Sequence, residues 1–320
     1  MLPRWSMYIG CALPDQVQDD LAEAFDVTAT DVPAPSDSLV LEALHGKQVL
    51  LTAVNTKLTP QFISALPDSV QAIATYSVGH EHIHLEAARE RGLAVFNTPN
   101  VLTPSVAETA MLLLLGASRR GTESITLVRS RAWPGWSPRQ LNGQEIWHKS
   151  LGIFGMGRIG RAIASLARAF GMTIHYSNRN RLSPELEQGA VFHADVADML
   201  RVIDVLMIAS PSTSSTKLFL NAERIRLLKP NAVVVNIGRG DLVVDDALVG
   251  ALSRHEIFAA GLDVFNNEPN IDSRYFDLPN VFMLPHIGSS TVEARRRMGL
   301  VLRDGITAWR NGEKPPNRLV

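Results

Sequence analysis

The sequence is poor in cysteine, with Cys11 as the one thiol in 320 residues. A single cysteine excludes an internal disulfide framework and is typical of a protein in a reducing compartment. A small apolar side chain buried in the core accounts for Cys11 without a role as a nucleophile. The fold must therefore depend on apolar cores, and the chain is long enough for about two domains, each with its own core.

The sequence also lacks long apolar runs and an excess of charge of either sign. The segment AMLLLLGA, residues 110–117, is far shorter than the ~20 residues that a helix needs to cross a bilayer. The N-terminal MLPRWSMYIG has no apolar core of the kind found in signal peptides. The 31 basic and 32 acidic side chains almost cancel, which gives no electrostatic basis for binding nucleic acid or an acidic membrane. We therefore expect a cytoplasmic protein whose partners include neither.

Short apolar segments alternate with helical patterns along most of the chain. These segments are almost continuously apolar, as parallel strands are when helices cover both faces of their sheet. The predicted strands are residues 47–53, 70–76, 93–98, 150–155, 172–177, 204–210, 232–238, 258–264 and 281–286. Alternation of strands and helices predicts an α/β fold with parallel sheets. The two groups of strands, before residue 100 and after residue 150, predict two domains.

The stretch between the two groups has a different composition. TPSVAETAMLLLLGASRR, residues 103–120, predicts a long buried helix with Thr103 or Ser105 as its N-cap. RSRAWPGWSPRQLNG, residues 129–143, predicts an ordered arm, because disordered segments are poor in aromatic residues. The tryptophans of this arm would pack either against a second subunit or against their own chain.

A glycine motif follows the predicted strand at 150–155. Gly155, Gly157 and Gly160 form Gly-x-Gly-x-x-Gly, and the residues after them have the apolar spacing of a helix. In such a motif the first glycine allows a tight turn, the second lets the backbone approach a pyrophosphate, and the third lets helix pack on strand. The helix N-terminus favours the phosphate charge. The motif in this context predicts a dinucleotide-binding domain.

The next strand ends in YSNRNR, residues 176–181, where an NAD-binding protein carries an acidic residue for the ribose 2′-hydroxyl. Asn178 takes the place of the acid, and Arg179 and Arg181 follow it. Guanidinium groups can bind a 2′-phosphate through paired, charge-assisted hydrogen bonds, whereas a carboxylate would repel it. The segment therefore favours NADP(H) over NAD(H).

Three histidines alternate in SVGHEHIHLE, residues 77–86, and raise the hypothesis of a metal site. On a strand, His80, His82 and His84 would point the same way and could share an ion. No further cluster of ligand side chains accompanies them. We therefore expect no metal, and the three histidines are left without an assigned role.

Four polar residues come at the ends of later predicted strands, where open α/β sheets place ligands. They are Arg239, Asp263, Glu268 and His286. A histidine can transfer a proton near neutral pH, a neighbouring carboxylate orients it and favours its charged form, and an arginine can bind a substrate carboxylate. With a nicotinamide hydride donor, this set suits the reduction of a 2-keto acid to a 2-hydroxy acid.

The sequence resembles the D-isomer-specific 2-hydroxyacid dehydrogenase family over nearly its whole length. The motifs that carry the resemblance are SVGHEHIHLEAARERGLAVFNTP, VAETAMLLLL, GIFGMGRIG, KPNAVVVNIGRGDLVVDDAL, AAGLDVFNNEP and LPHIGSST. Within the family, AWPGWSPRQL and the NRNR loop look most like NADPH-dependent glyoxylate/hydroxypyruvate reductases. The resemblance implies an α/β architecture of two Rossmann-like parallel-sheet domains, one flavodoxin-like and one dinucleotide-binding, with a cleft between them.

The resemblance also implies roles for individual residues. Arg239, Glu268 and His286 would be catalytic, with His286 as proton donor supported by Glu268. Arg239, His286 and the amides of Val78 and Gly79 would bind the substrate. The implied cofactor-binding residues are Gly155, Met156, Gly157, Arg158, Ile159, Gly160, Asn178, Arg179, Arg181, Ser210, Pro211, Thr216, Ile237, Gly238, Asp263 and Gly288.

The implied domains are discontinuous in sequence. Residues 1–100 and 287–320 would form the substrate-binding domain, and residues 101–286 would form the NADP-binding domain with its dimerisation helix and arm. Family members are commonly homodimers, and Trp136 would reach the partner's active site.

The chain departs from the family pattern at several positions. Glu81 and His84 stand where Asp is usual, and we expect His84 to cap the following helix less well than Asp. Val78 replaces the lysine of phosphite dehydrogenases, and Glu268 replaces the glutamine of formate dehydrogenases; both favour a 2-keto acid as substrate. A larger keto acid such as phenylpyruvate, or a cofactor-sensing protein without turnover, stays open as an alternative.

Overall fold

The computed structural model describes residues 4–33 and 35–320. Its contacts divide the chain into unit 1, within Met1–Leu102 and Ser289–Val320, and unit 2, Thr103–Gly288. Each of the two boundaries between the units lies two residues further along the chain than the sequence predicted. Each unit contains one sheet in which all paired strands are parallel. The predicted α/β class with two parallel sheets is confirmed.

Unit 1 contains a five-stranded sheet. Its elements are β1 (Trp5–Ile9), α1 (Asp15–Ala22), β2 (Phe25–Ala29), α2 (Asp37–Ala43), β3 (Val49–Thr52), α3 (Pro60–Ala65), β4 (Ala72–Thr75), α4 (Leu85–Glu90), β5 (Ala94–Phe96) and the C-terminal α12 (Val292–Arg310). The strand order β2-β1-β3-β4-β5 is that of flavodoxin-like folds. The apolar spacing that predicted β3, β4 and β5 reflects strands whose residues are all buried.

Unit 2 contains a seven-stranded sheet. Its elements are α5 (Thr103–Ser118), α6 (Gly121–Arg129), β6 (Ser150–Phe154), α7 (Arg158–Ala169), β7 (Thr173–Ser177), α8 (Pro184–Glu187), β8 (Val191–Phe192), α9 (Val196–Val202), β9 (Val205–Ile208), α10 (Ala222–Ile225), β10 (Val233–Asn236), α11 (Asp245–Ser253), β11 (Ala259–Leu262) and β12 (Val281–Met283). The strand order is β12-β11-β10-β9-β6-β7-β8. This order reverses between β6 and β9, which places the ligand site of a dinucleotide-binding sheet after those two strands.

The long helix α5 packs directly on the sheet of unit 2. A Cβ atom at Gly261 in β11 would lie 2.7 Å from the carbonyl oxygen of Leu113, so only glycine allows this approach. The prediction of Thr103 or Ser105 as N-cap is wrong, because the helix begins at Thr103 and both residues lie in its first turn. There the buried hydroxyl of Ser105 donates to the carbonyl oxygen of Gly288 at 2.8 Å.

The arm after α6 leaves aromatic side chains exposed. Trp136 is 83% exposed, so packing against its own chain does not account for it. Trp133 is half exposed, and its indole nitrogen donates to Gln140 at 3.1 Å. Helix α6 buries no residue of its own. Among the residues that the structure describes, no helix is both long and apolar enough to span a membrane.

Candidate active site

The glycine motif forms a tight loop between β6 and α7. Gly155 has φ +96°, and a Cβ atom there would lie 2.7 Å from the backbone of Ser210. A Cβ atom at Gly160 would lie 2.6 Å from the carbonyl oxygen of Gly155. A Cβ atom at Gly157 would meet nothing within 4 Å, so the backbone just before α7 is open to an approaching group. The loop therefore combines close internal packing with an exposed helix N-terminus, as anion binding requires.

Asn178 stabilises this loop from the end of β7. Its Oδ1 accepts a hydrogen bond from the Met156 amide at 2.7 Å, and its Nδ2 donates to the Met156 carbonyl at 3.4 Å. The sequence analysis noted that Asn178 takes the place of the usual acidic residue and, by the resemblance, placed it among the cofactor-binding residues. The structure adds that the amide side chain of Asn178 is bound to the glycine loop.

The two arginines of the NRNR segment have different environments. Arg181 forms a two-point ion pair with Glu187, with Nε–Oε1 at 2.8 Å and Nη2–Oε2 at 3.1 Å. The Tyr176 hydroxyl also donates to Glu187 at 2.6 Å. The Arg181 guanidinium and the Tyr176 hydroxyl hold the pKa of the Glu187 carboxyl below its usual range. Arg181 is predicted to contact the cofactor, and in the structure its guanidinium holds its own loop through Glu187.

Arg179 is exposed and forms no ion pair or hydrogen bond with any residue in the described ranges 4–33 and 35–320. It lies directly after Asn178, at the carboxyl end of β7. A ligand at this edge of the sheet can therefore bind Arg179 without first displacing an internal partner.

Arg239 lies in the turn after β10. The side-chain amide of Asn236 donates to the Arg239 carbonyl at 2.9 Å and accepts from the Gly238 amide at 3.0 Å. The next residue, Gly240, approaches the backbone of Phe265 so closely that a Cβ atom would lie 1.9 Å from the Phe265 carbonyl carbon. Glycine is required here because the Arg239 turn packs directly against the segment that carries Glu268.

Glu268 and His286 form a hydrogen-bonded pair. The Nδ1 of His286 lies 2.7 Å from one carboxylate oxygen of Glu268, and the other oxygen accepts the Phe265 amide at 2.8 Å. Burial alone would raise the pKa of Glu268. The hydrogen bond and charge of His286, the Phe265 amide and the charge of Arg239 outweigh burial and hold that pKa below its usual range. Glu268 is therefore a carboxylate at neutral pH, next to the histidine.

Asp263 holds the backbone that directly follows His286. Its two carboxylate oxygens accept the amides of Ile287 and Gly288, each at 2.8 Å, and the residue is 2% exposed. Burial raises the pKa of Asp263 despite these two hydrogen bonds. His286 itself has φ +54°, a conformation that histidine tolerates better than most side chains. The resemblance placed Asp263 among the cofactor residues, and the structure adds that its carboxylate holds the backbone next to His286.

A serine- and threonine-rich loop follows β9. The Thr216 hydroxyl donates to the Pro211 carbonyl at 2.7 Å and accepts the Thr213 amide at 2.8 Å. Ser212 donates to Asp241 at 2.7 Å, which connects this loop to the turn that carries Arg239. Asp241 was missed by the sequence analysis, because an aspartate one residue after an Arg-Gly pair carries no distinctive spacing. Ser210, Ile237 and Gly238 are buried beside the loop.

The histidine triplet lies in unit 1 and its members have separate contacts. His84 caps α4, with its Nδ1 accepting the Ala87 amide at 3.2 Å. It therefore serves as N-cap in place of the aspartate that is usual in the family. The Nε2 of His82 lies 2.9 Å from the Thr75 hydroxyl. No group of three potential metal ligands is present among the described residues.

Val78 and Gly79 lie in the loop between β4 and α4. The Val78 carbonyl accepts from the Asn97 side chain at 2.8 Å, and the Gly79 carbonyl accepts from the Ser77 hydroxyl at 2.6 Å. The loop is therefore held in place by side chains of unit 1.

Comparison with known proteins identifies the family. Residues 111–288, more than half of the chain, match the family model described as the NAD binding domain of D-isomer specific 2-hydroxyacid dehydrogenases. The chain belongs to this family. The resemblance predicted from the sequence motifs is confirmed.

Several relatives of this 2-hydroxyacid dehydrogenase cover almost its whole length. It is 40% identical over 303 residues to glycerate dehydrogenase of Hyphomicrobium methylovorum, with 94% of each chain covered. It is 38% identical over 323 residues to glyoxylate reductase of Thermococcus kodakarensis, with 98% of this chain and 95% of the relative covered. Its structure resembles that of NADPH-dependent glyoxylate/hydroxypyruvate reductase from Sinorhizobium meliloti in complex with NADP and malonate, with a TM-score of 0.88, 32% identity and coverage of 99% and 97% of the two chains.

Unit 2 of this 2-hydroxyacid dehydrogenase fits a dinucleotide on its own geometry. The open backbone at Gly157 lies at the N-terminus of α7, at the point where the strand order reverses. The His286–Glu268 pair and the Arg239 turn are held within the same unit. Fold, nicotinamide-binding domain and a histidine–carboxylate pair together characterise an oxidoreductase of the 2-hydroxyacid dehydrogenase type.

Proposed function

We propose that the protein reduces small 2-keto acids, glyoxylate and hydroxypyruvate, to 2-hydroxy acids with NADPH. The observation that carries the proposal is the 2.7 Å pair of His286 and Glu268 beside the Arg239 turn. The named activities of the glyoxylate reductase and glyoxylate/hydroxypyruvate reductase relatives support the choice of substrate. The cofactor, when bound, supplies the hydride that attacks the carbonyl carbon.

In this proposal His286 is the proton donor. Its Nδ1 is bound to Glu268, so its Nε2 is the nitrogen that gives a proton to the carbonyl oxygen as that oxygen gains negative charge. Glu268 fixes the orientation of the ring and stabilises the imidazolium before transfer. The keto acid gains one hydride and one proton, and the histidine is reprotonated from solvent.

Arg239 is assigned to the substrate's carboxylate. A guanidinium binds a carboxylate through paired, charge-assisted hydrogen bonds, and its charge polarises the adjacent carbonyl. Asn236 and Gly240 keep its backbone in place. By the resemblance, the amides of Val78 and Gly79 are also assigned to substrate binding.

The preference for NADPH is proposed on the environment of Arg179. Asn178 replaces the usual acidic residue and is turned onto the glycine loop, so no carboxylate at this position repels a 2′-phosphate. Arg179 is exposed beside it, and the Sinorhizobium meliloti relative is named as NADPH-dependent. Arg181 contributes by anchoring the loop through Glu187.

The test of this function is loss of reduced-nicotinamide absorbance, with NADPH and NADH each supplied against glyoxylate, hydroxypyruvate, pyruvate and phenylpyruvate. Rapid oxidation of NADPH with the two small acids is the expected result. A preference for phenylpyruvate would overturn the substrate assignment. Binding of NADPH without turnover of any acid would identify a cofactor sensor instead.

Replacing Glu268 by Gln should move the pH profile of reduction. Because a neutral amide does not stabilise the imidazolium, we expect kcat/KM to decline on the alkaline side about one pH unit earlier than in the wild type. The pKa of Glu268 is already lowered, so the carboxylate is charged throughout the measured range in the wild type. The control is Glu256→Gln, which removes a carboxylate paired with Arg254. An unshifted profile in Glu268→Gln would contradict the assigned role.

We further propose that the protein is a homodimer that buries the arm. Trp136 on the arm and Ile125 and Val128 on α6 are exposed apolar side chains that such an interface would cover. For a 35.0 kDa chain, we expect a sedimenting species of about 70 kDa. Trp136→Ala together with Val128→Glu should shift the population toward monomer. An unchanged sedimentation coefficient in this variant would place the interface elsewhere.

A further inference from the structure

The loop after β4 contains a row of hydrogen bonds that ends at the carbonyl of Gly79. The Nε2 of His82 lies 2.9 Å from Oγ1 of Thr75, which lies 2.7 Å from Oγ of Ser77. The Ser77 hydroxyl lies 2.6 Å from the Gly79 carbonyl oxygen. Thr75 is fully buried and Ser77 is 8% exposed, so neither hydroxyl exchanges its partner freely with water.

The direction of these bonds follows from counting hydrogens. A carbonyl oxygen only accepts, so the single hydrogen of Ser77 is donated to Gly79. Ser77 must then accept from Thr75, whose single hydrogen is used in turn. Thr75 must accept from His82, which therefore carries a hydrogen on Nε2. We call this directed chain from His82 through Thr75 and Ser77 to Gly79 the relay.

The relay fixes the direction of an amide as well as a carbonyl. In a trans peptide the N–H points away from the C=O of the same plane. Because Ser77 holds the Gly79 carbonyl, the amide of His80 points to the opposite side. Because Asn97 holds the Val78 carbonyl at 2.8 Å, the amide of Gly79 is fixed in the same way.

The amides of residues 78–80 are available as donors. None of the three donates a hydrogen bond to another residue in the described ranges of the chain. Two neighbouring amides with fixed directions form a site for a carboxylate, since each oxygen accepts N–H donors well.

We propose that the His80 amide joins the Gly79 amide in binding the substrate's carboxylate, and that His82 is the residue that positions it through the relay. This inference rests on the proposed function, since it names the part of the loop that recognises the keto acid. It also gives the middle histidine of the triplet a task different from that of His84, which caps α4.

The relay is tested by a pair of substitutions at one position. His82→Leu removes the donor, and His82→Gln restores an N–H at a similar distance from the backbone. For His82→Leu we expect KM for glyoxylate to rise about tenfold, the usual effect of one lost hydrogen bond, while kcat and KM for NADPH stay within about twofold. His82→Gln should recover most of the wild-type KM.

Two further variants separate positioning from general stability. Thr75→Val keeps the shape of a buried side chain but interrupts the relay, and it should reproduce the rise in KM. His84→Asn changes a neighbouring histidine to another good capping residue and should leave KM unaltered. If His82→Leu lowers the melting temperature but KM for glyoxylate stays at the wild-type value, His82 is merely structural and the proposal is overturned.

The relay can also be judged without turnover, which separates its failure from that of the proposed function. In protein labelled with ¹⁵N-histidine, the signals absent from His82→Gln identify His82. At pH 8 they should show a hydrogen on Nε2, and Thr75→Val should perturb them. An Nε2 without a hydrogen would overturn the relay even in an active enzyme. If Nε2 of His82 carries the hydrogen but the protein reduces no keto acid, the relay is supported. The reductase assignment and the carboxylate site are then both refuted.

Discussion

His286→Ala should lower kcat for glyoxylate reduction about 10²- to 10⁴-fold, the range for loss of a general acid. The expectation follows from a single geometry. One ring nitrogen is bound to Glu268 at 2.7 Å, and in the proposed function the other gives the proton to the carbonyl oxygen in the transition state. Without it, the proton must come from water that no side chain orients.

The same substitution should leave cofactor affinity unchanged. Among the residues that the structure describes, no hydrogen bond joins the glycine loop or Asn178 to His286, so the dissociation constant of NADPH, followed by its fluorescence, should stay within about twofold. Near-normal turnover in His286→Ala would show that another group donates the proton.

Alanine at position 286 could disturb the loop, since the residue has φ +54°. His286→Asn is the matched variant, because asparagine tolerates this conformation well and has no acidic hydrogen to give. Equal losses of kcat in the two variants identify the chemistry as the cause. A much smaller loss in His286→Asn would instead point to backbone strain in the alanine variant.

Arg179→Gln should raise KM for NADPH about 10- to 100-fold and leave KM for NADH almost unchanged. The reason is that only NADPH carries the 2′-phosphate, and Arg179 is the exposed guanidinium beside Asn178. The ratio of the two KM values, measured on the same preparation, isolates this contact from general effects on the domain.

Arg181→Gln is the matched control from the same loop. Its guanidinium is bound to Glu187, and the change leaves a buried carboxylate with the Tyr176 hydroxyl as its remaining side-chain partner. We expect a lower melting temperature and a modest rise in KM that is similar for both cofactors. A selective loss of NADPH binding in Arg181→Gln, with Arg179→Gln normal, would exchange the roles of the two arginines.

The sequence was most informative where burial imposes a pattern. Each predicted strand segment contains an observed strand, because strands covered on both faces are apolar at every position. It missed three strands. They are β1, an inner strand whose first two residues are only partly buried, β2, an edge strand whose second, fourth and fifth residues are exposed, and β8, an edge strand of two residues. Edge strands bury too little surface to leave a continuous apolar run.

For the candidate site, the sequence predicted residue types but not their partners. The pairing of Glu268 with His286 could be expected from a family motif. The ion pair of Arg181 with Glu187 could not, since it depends on how α8 packs beneath the loop. The position of Asp263 at the end of β11 is likewise visible in the sequence, whereas the two amides that donate to its carboxylate are not.

The contact between Asn178 and Met156 bears on how cofactor choice could be redesigned. In Asn178→Asp, one oxygen could still accept the Met156 amide, but the other would face the Met156 carbonyl, where Nδ2 now donates at 3.4 Å. Because two acceptors repel each other, we expect the carboxylate to rotate away from the Met156 carbonyl, toward the side where a ribose hydroxyl would lie. A single-atom exchange would thus loosen the glycine loop and create a ribose acceptor together. An evolutionary route to NADH use would accordingly begin at Arg179, which holds nothing else in place, and reach position 178 afterwards.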